Sequence, residues 1–187
     1  MNARKLRNLR NGTIFIIFLV TLVSVLAAIP YLIASSDATR PPSEEVVTRL
    51  ELPPGVSIST LQVATVEDVI DGDTADVMLD GRLYRVRYFG VDTPERGQRC
   101  FREATDRNQQ LVHVGKKIYL LADAREFDDF SRLLRYVFLE DGTSVDATLI
   151  AEGFGEAWRQ DGRYRDQLVT LEQEATAANR GCLATIS

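Results

Sequence analysis

Short apolar runs separated by turn residues dominate the chain after residue 58, and they predict β-strands. The runs cover residues 61–69, 74–79, 83–91, 116–121 and 133–139. Asp80-Gly81, between the second run and the third, is typical of a tight hairpin turn. The third run alternates apolar and basic positions, so Arg85 and Arg87 share one side of the predicted strand.

Three helices are predicted between and after these strands, over residues 100–114, 144–152 and 164–180. Ser144 is a typical helix-capping residue, and Gly153 and Gly181 stand where the second and third helices would end. Strands and helices together predict an α+β fold within residues 58–187. Its centre would be a five-stranded closed β-barrel, of which the OB-fold is the leading candidate, with about three packed helices.

The amino-terminal region has a different pattern, because residues 11–36 carry no charge. Residues 13–34 are long enough for one transmembrane helix, which needs roughly 20 apolar residues. The basic residues within residues 1–12 predict a cytoplasmic amino terminus, with the rest of the chain outside. The alternative is a signal peptide within residues 1–36 that is cleaved to release a secreted protein. Either interpretation places the folded domain outside the cytoplasm.

Residues 35–57 contain two proline pairs, which stiffen a chain and disfavour helix, and they predict a linker. Leu50, Leu52 and Val56 leave a second interpretation open, in which they pack against the domain as a short edge segment.

The available chemistry is limited, because the 187 residues include one histidine and two cysteines. Because His113 is the single histidine, sites with paired histidines are excluded. Because there are two cysteines, a four-cysteine zinc or iron–sulfur site is also excluded. With 27 acidic and 22 basic residues, an enzyme here must rely on carboxylates, arginines, hydroxyls and an oxygen-preferring metal. The net charge of the chain is −5. Because the first ten residues carry +4, the remaining residues carry −9. That charge argues against nucleic-acid binding by bulk electrostatics.

Three short segments concentrate the candidate chemistry. In the first, Asp71 and Asp73 flank Gly72 and share a face in extended chain, which suits a hard cation such as calcium. An ordinary Asp-Gly turn is the alternative. An EF-hand is excluded, because Asp76 and Arg82 stand where its glycine and its final glutamate would be.

The second segment ends a strand with Asp92, Thr93, Pro94 and Glu95, where the proline forces a bend that brings acids to its two sides. The alternative is a surface turn with solvated charges. The third segment places Arg132 at a strand entrance, as a fork for phosphate oxygens or as a surface ion pair with a neighbouring aspartate.

Together these segments resemble the staphylococcal nuclease (thermonuclease, micrococcal nuclease) family. The resemblance spans residues 61–182, and its motifs are Ile70-Asp71-Gly72-Asp73-Thr74, Arg87 with Val91-Asp92-Thr93-Pro94-Glu95, Phe101 with Glu103-Ala104, and Asp128 with Phe130 and Arg132. It implies an OB-fold barrel that hydrolyses phosphodiester bonds in DNA and RNA with calcium (Ca2+).

The resemblance also implies roles for individual residues. Asp73 and Asp92 would bind calcium through carboxylates and Thr93 through its backbone carbonyl, with Asp71 supporting the metal. Arg87 and Arg132 would hold the scissile phosphate, and Glu95 would activate or position the attacking water. These roles suit a reaction in which negative charge develops on phosphorus oxygens and water must lose a proton.

The sequence departs from the family where Phe130 and Ser131 stand in place of the usual tyrosine and glycine, so a phosphate-binding hydroxyl is lost. Phe130 and Trp158 are candidates for stacking on nucleic-acid bases. For Trp158 a core or rim position is the alternative.

Cys100 and Cys182 are a disulfide candidate if the domain lies outside the cytoplasm, and two buried thiols are the alternative. A pairing that closes a loop of this length would stabilise the fold by on the order of 4 kcal/mol in the chain-entropy model.

Two functions therefore remain open for a chain expected to be monomeric and attached to a membrane through residues 13–34. The first is a calcium-dependent phosphodiesterase or endonuclease acting on DNA, RNA or both. The second is a catalytically weak module that binds nucleic acid or protein at the membrane surface. The joint presence of Asp73, Arg87, Asp92, Glu95 and Arg132 favours the enzyme.

Overall fold

The computed structural model describes residues 48–182. The predicted membrane helix over residues 13–34, and most of the predicted linker, lie outside these residues. Within residues 48–182, no helix is both long and apolar enough to cross a membrane.

The predicted barrel is confirmed: five strands close on themselves in the order β1-β2-β3-β6-β5. They are β1 (Gln62–Val69), β2 (Thr74–Leu79), β3 (Arg82–Tyr88), β5 (Lys117–Leu121) and β6 (Leu133–Phe138). All neighbours pair antiparallel except β3 and β6, which are parallel. The short strands β4 (Val91–Asp92) and β7 (Glu156–Ala157) form a separate two-stranded sheet.

The three predicted α-helices are also confirmed, as α1 (Phe101–Leu111), α2 (Val145–Ala151) and α3 (Arg165–Ala177), and a short 3-10 turn (Ile58–Thr60) precedes β1. Ser144 caps α2 as expected, because its hydroxyl accepts a hydrogen bond from the Ala147 amide. Leu168 and Ala175 are the buried residues of α3. A closed five-stranded barrel with three helices fits the OB-fold.

The hairpin predicted at Asp80-Gly81 is present, since Leu79 pairs with Arg82. Both turn residues have positive φ, 50° and 75°, as the tight turn with the strand-matching twist requires.

The third strand is shorter than its apolar pattern predicts. β3 ends at Tyr88 instead of continuing to Val91, because the backbone leaves the barrel sheet after one further hydrogen bond to β6. The Phe89 amide donates to the Arg135 carbonyl, and the Gly90 amide donates to the carboxylate of Asp146. The chain then resumes as β4 and pairs with β7, which turns Asp92 away from the barrel sheet.

The segment before β1 packs against the domain. Leu50 is buried and Leu52 is partly buried against the core, while the Thr48 carbonyl accepts a hydrogen bond from the Ser144 amide. This agrees with the second interpretation of these leucines, although no strand forms there.

Cys100 and Cys182 are bonded, as predicted, with their Cα atoms 5.8 Å apart. The disulfide joins the start of α1 to the segment after α3.

Candidate active site

The Asp71–Asp73 loop connects β1 to β2 and packs tightly against Thr93, just after the end of β4. Asp73 is buried, and its Oδ2 accepts hydrogen bonds from the Thr93 amide (2.7 Å) and hydroxyl (2.8 Å). A side chain on Gly72 would place its Cβ 2.6 Å from the Thr93 hydroxyl oxygen and 2.9 Å from the Ala104 Cβ. Only glycine therefore lets the two segments approach this closely.

Asp71 supports this loop from within, because its Oδ1 accepts a hydrogen bond from the Asp73 amide. Burial raises the pKa of the Asp71 carboxyl, and the nearby charge of Asp73 raises it further. Asn108, fully buried on α1, donates to the Asp71 carbonyl (2.8 Å) and accepts from the Tyr88 hydroxyl (3.1 Å). Helix α1 is thereby joined to the loop that presents the two aspartates.

Arg87 stands between the two carboxylates that the resemblance assigns to the metal. Its Nε lies 3.1 Å from Asp73 Oδ1, and its Nη2 donates to Asp92 Oδ1. Its Nη1 donates to the carbonyls of Tyr88 and Val91. A guanidinium group has five N–H donors, so one hydrogen of Nη2 has no partner within residues 48–182 and remains for a ligand. The Arg87 side chain is largely buried, whereas that of Arg85, on the same side of β3, is half exposed.

A cavity of about 190 Å³ lies beside this cluster. Its wall includes the side chains of Arg87, Asp92, Glu95, Phe130, Arg132 and Trp158. The structure thus brings together both predicted phosphate-binding arginines, the predicted base, one predicted metal carboxylate and both predicted stacking residues. Asp73 and Thr93 lie behind this wall and contact it through Arg87 and Asp92.

Glu95 is exposed and sits in a turn closed by Gln98. The Glu95 amide donates to Gln98 Oε1 (2.7 Å), and the Gln98 amide donates to the Glu95 carbonyl (2.9 Å). Within residues 48–182 the Glu95 carboxylate itself makes no hydrogen bond or ion pair. It is therefore free to accept a proton in the cavity.

Arg132 is oriented by Asp128, whose carboxylate accepts hydrogen bonds from the Arg132 amide (2.8 Å) and Nε (2.6 Å). The predicted ion pair with a neighbouring aspartate is present, yet the side chain still lines the cavity. Partial burial opposes ionisation of Asp128, but the hydrogen bonds and charge of Arg132 outweigh it and lower the pKa of that carboxyl.

Phe130 and Ser131, which differ from the family that the sequence resembles, lie in this same loop. Ser131 has φ 62°, a left-handed conformation that glycine adopts at lower cost. The Phe130 ring is 81% exposed at the cavity rim, and the Arg132 guanidinium lies 5.6 Å from its centroid. The ring is therefore available for stacking on a base.

Asp146 is a site-supporting residue that the sequence patterns did not indicate. It lies fully buried in the first turn of α2, where it accepts hydrogen bonds from the Gly90 amide (2.8 Å) and the Val137 amide (2.9 Å). It thus fixes the bend between β3 and β4, which carries Arg87 on one side and Asp92 on the other. Burial raises the pKa of Asp146 to about 6, although both hydrogen bonds work in the opposite direction.

This pKa predicts a pH-dependent stability that Asp146→Asn should remove. A carboxyl whose pKa is higher in the folded state contributes stability below its unfolded value, and that contribution is lost as pH rises through about 6. The unfolding free energy of the wild type, relative to Asp146→Asn, should therefore fall by about 2 kcal/mol from pH 4 to pH 7. Urea unfolding across this range measures it.

Asp166→Asn is the matched control, because Asp166 is a highly exposed acid at the start of α3. The difference in unfolding free energy between the wild type and Asp166→Asn should change little from pH 4 to pH 7. A wild-type advantage over Asp146→Asn that is constant or grows with pH would contradict the expectation.

The model of the family described as staphylococcal nuclease homologue matches residues 85–183, just over half of the chain. The chain belongs to the staphylococcal nuclease family. The matched range begins within β3, so it includes Arg87, Asp92, Glu95 and Arg132 but not the Asp71–Asp73 loop, which the fold brings to the same place.

Individual relatives in this family carry nuclease names. Endonuclease YncB of Bacillus subtilis (strain 168) is 38% identical over 120 residues, covering 59% of this chain and 56% of that protein. The SPbeta prophage-derived endonuclease YokF of the same strain is 36% identical over 120 residues, covering 59% of this chain and 40% of that protein. The thermonuclease of Staphylococcus hyicus is 32% identical over 129 residues, covering 65% and 75%. The chain thus spans about half the length of the two Bacillus relatives.

Proposed function

We propose that this staphylococcal nuclease family member is a calcium-dependent nuclease that hydrolyses phosphodiester bonds in DNA, RNA or both. One observation carries the proposal: a single cavity wall combines Arg87, Arg132, Asp92 and the unpaired carboxylate of Glu95. The nuclease names of its relatives support the reaction class.

The donor set fits a hard cation. Asp73 and Asp92 already share one positive group, since Arg87 bridges their carboxylates, so both lie within reach of a common charge. Oxygen ligands of this kind suit calcium. Within residues 48–182, no cluster of three acidic, histidine or cysteine side chains could hold a metal unaided. Calcium would therefore be held by Asp73, Asp92 and the backbone carbonyl of Thr93, with water completing the shell, and Asp71 would hold the loop in place.

The chain's own residues account for the reaction. Four contacts within residues 48–182 fix the Arg87 guanidinium and leave one N–H for a ligand, and Asp128 aligns Arg132. Both donors are preorganised for the negative charge that develops on phosphoryl oxygens. Glu95 accepts the proton of the attacking water. Bound calcium would supply further positive charge to the same oxygens.

The charge of the cavity explains why a cation would be needed. Its wall contains three arginines and four carboxylates, so without a metal it carries a net negative charge that repels a phosphodiester. We therefore propose that substrate binding without calcium is weak. The −9 charge of the chain beyond its first ten residues offers no compensating bulk attraction.

We also propose a compartment and a mode of attachment, on the basis of the amino-terminal sequence. Residues 13–34 would anchor a monomeric nuclease with its domain outside the cytoplasm, or residues 1–36 would be cleaved to secrete it. The Cys100–Cys182 disulfide supports an oxidising compartment.

Cleavage of single-stranded DNA and RNA by the purified full chain tests the function. We expect products in millimolar calcium, and none above the protein-free control when a chelator is added. Cleavage that survives the chelator would refute the metal dependence. Binding of the nucleic acid without any cleavage in calcium would instead support the catalytically weak module.

A further inference from the structure

A third arginine, Arg125, lines the same cavity as Arg87 and Arg132 and takes no part in the reaction described above. It lies between β5 and β6, and its ion pair with Asp161 joins it to the segment before α3. Among the residues that line the cavity, these three arginines are the positively charged ones.

The guanidinium group of Arg125 is held in a fixed orientation. Its Cζ atom lies 5.4 Å from the ring centroid of Phe89 and 5.8 Å from that of Trp158. Asp161 accepts hydrogen bonds from its Nε and its Nη2, each at 3.1 Å. The same carboxylate accepts a hydrogen bond from Trp158 Nε1 at 2.7 Å. Asp161 therefore orients the arginine and the tryptophan together.

These contacts leave one donor nitrogen unused. Within residues 48–182, Nη1 of Arg125 makes no hydrogen bond, and the side chain is 37% exposed at the cavity wall. A guanidinium with fixed orientation and free N–H groups is suited to a phosphate oxygen. An ion pair that served only to join two loops would not need to lie over two rings in a cavity wall.

We propose that Arg125 binds a phosphate next to the scissile one, so that the cavity selects a polynucleotide strand over an isolated phosphodiester. The inference rests on the proposed nuclease function. A polynucleotide presents a second phosphate one nucleotide from the bond held by Arg87 and Arg132. Arg125 is the cation of the wall that remains to receive it, beside the Trp158 ring proposed to stack on a base.

Changes to the substrate and to the protein can be combined to test this. Three short DNA strands are compared, and cleavage is followed at one labelled central linkage. The first strand has natural phosphates, and each of the other two has an uncharged methylphosphonate on one side of the central linkage. For the wild type, one of the two replacements should raise KM about tenfold, the effect of losing one charge-assisted hydrogen bond. Arg125→Gln should raise KM on the natural strand by a similar factor. For this variant, the same methylphosphonate replacement should raise KM little further. The kcat value should change much less.

Arg163→Gln is the matched control. Arg163 is similarly exposed (34%) and similarly paired, with Asp123, but it does not line the cavity. Arg163→Gln should keep the wild-type difference in KM between the natural strand and the methylphosphonate strands. Arg125→Lys keeps the charge but not the fork, so its KM should lie between those of the wild type and Arg125→Gln.

The outcomes separate this inference from the function on which it rests. If the wild type does not cleave even the natural strand, the nuclease function fails. If the wild type cleaves all strands with equal KM, only the role of Arg125 fails. Losses from Arg125→Gln and the methylphosphonate that simply multiply would also overturn it, because independent effects show no shared contact. Should Arg125→Gln unfold in urea far earlier than the wild type, Arg125→Lys replaces it in the same comparison.

Discussion

Replacing Glu95 with glutamine should lower kcat by about 10²–10⁴-fold, the range for loss of a general base. Glutamine has nearly the same shape but cannot accept the proton of the attacking water. The change should leave the fold intact, because Glu95 is exposed and its turn is held by backbone contacts to Gln98. Calcium affinity should also persist, since the proposed ligands are other residues. Steady-state cleavage and calcium titration measure both quantities.

Glu140→Gln provides the control for this loss. Glu140 is an exposed acid in the turn after β6 and does not line the cavity, so it tests the removal of one surface charge alone. It should retain wild-type kcat. If Glu95→Gln retained kcat within about threefold of the wild type, the assignment of Glu95 as base would be wrong.

The elements that the sequence predicted correctly are those set by local chemistry. Short apolar runs between turn residues predicted the strands of the barrel, Asp80-Gly81 predicted a hairpin, and Ser144 marked the start of α2. The motif around Asp92 and Glu95 indicated the bend at the candidate site because its residues are close together in the chain. Such signals need no knowledge of which distant segments meet.

The unpredicted parts of the site depend on contacts between distant residues. Gly90 and Asp146 are separated by 56 residues, Asn108 and Asp71 by 37, and Arg125 and Asp161 by 36. Spacing in one sequence gives no indication that these groups meet. The early end of β3 has the same origin, since the Gly90 amide is bound by a carboxylate from α2. A burial pattern alone would continue that strand to Val91.

The buried environment of Arg87 illustrates the same limit. Alternation places Arg85 and Arg87 on one side of β3, and this is correct, yet their surroundings are opposite. Arg85 forms a two-point surface ion pair with Asp76, and its side chain is 50% exposed, against 10% for Arg87. The difference arises because the chain bends after β3 and encloses only the second arginine. Their contrast allows a test within one strand.

Arg87→Gln should lower kcat by about 10²–10³-fold, the usual effect of removing one preorganised donor to a developing negative charge. The same change should preserve or strengthen calcium binding, because Arg87 is the positive group that now bridges Asp73 and Asp92. Loss of activity together with unweakened metal binding distinguishes a catalytic arginine from one that only holds the fold. Urea unfolding accompanies both measurements, since a buried contact is being removed.

Arg85→Gln is the control, and it should leave kcat, calcium affinity and stability close to those of the wild type, because exposed ion pairs contribute about 0–1 kcal/mol. Equal losses of activity in the two variants would mean that the strand, and not the bridging guanidinium, is what the reaction needs. Weaker calcium binding in Arg87→Gln would show that the arginine positions the two carboxylates for the metal. That result would refute the expectation that Arg87 and calcium compete for the carboxylate oxygens of Asp73 and Asp92. The nuclease assignment would then still rest on Glu95.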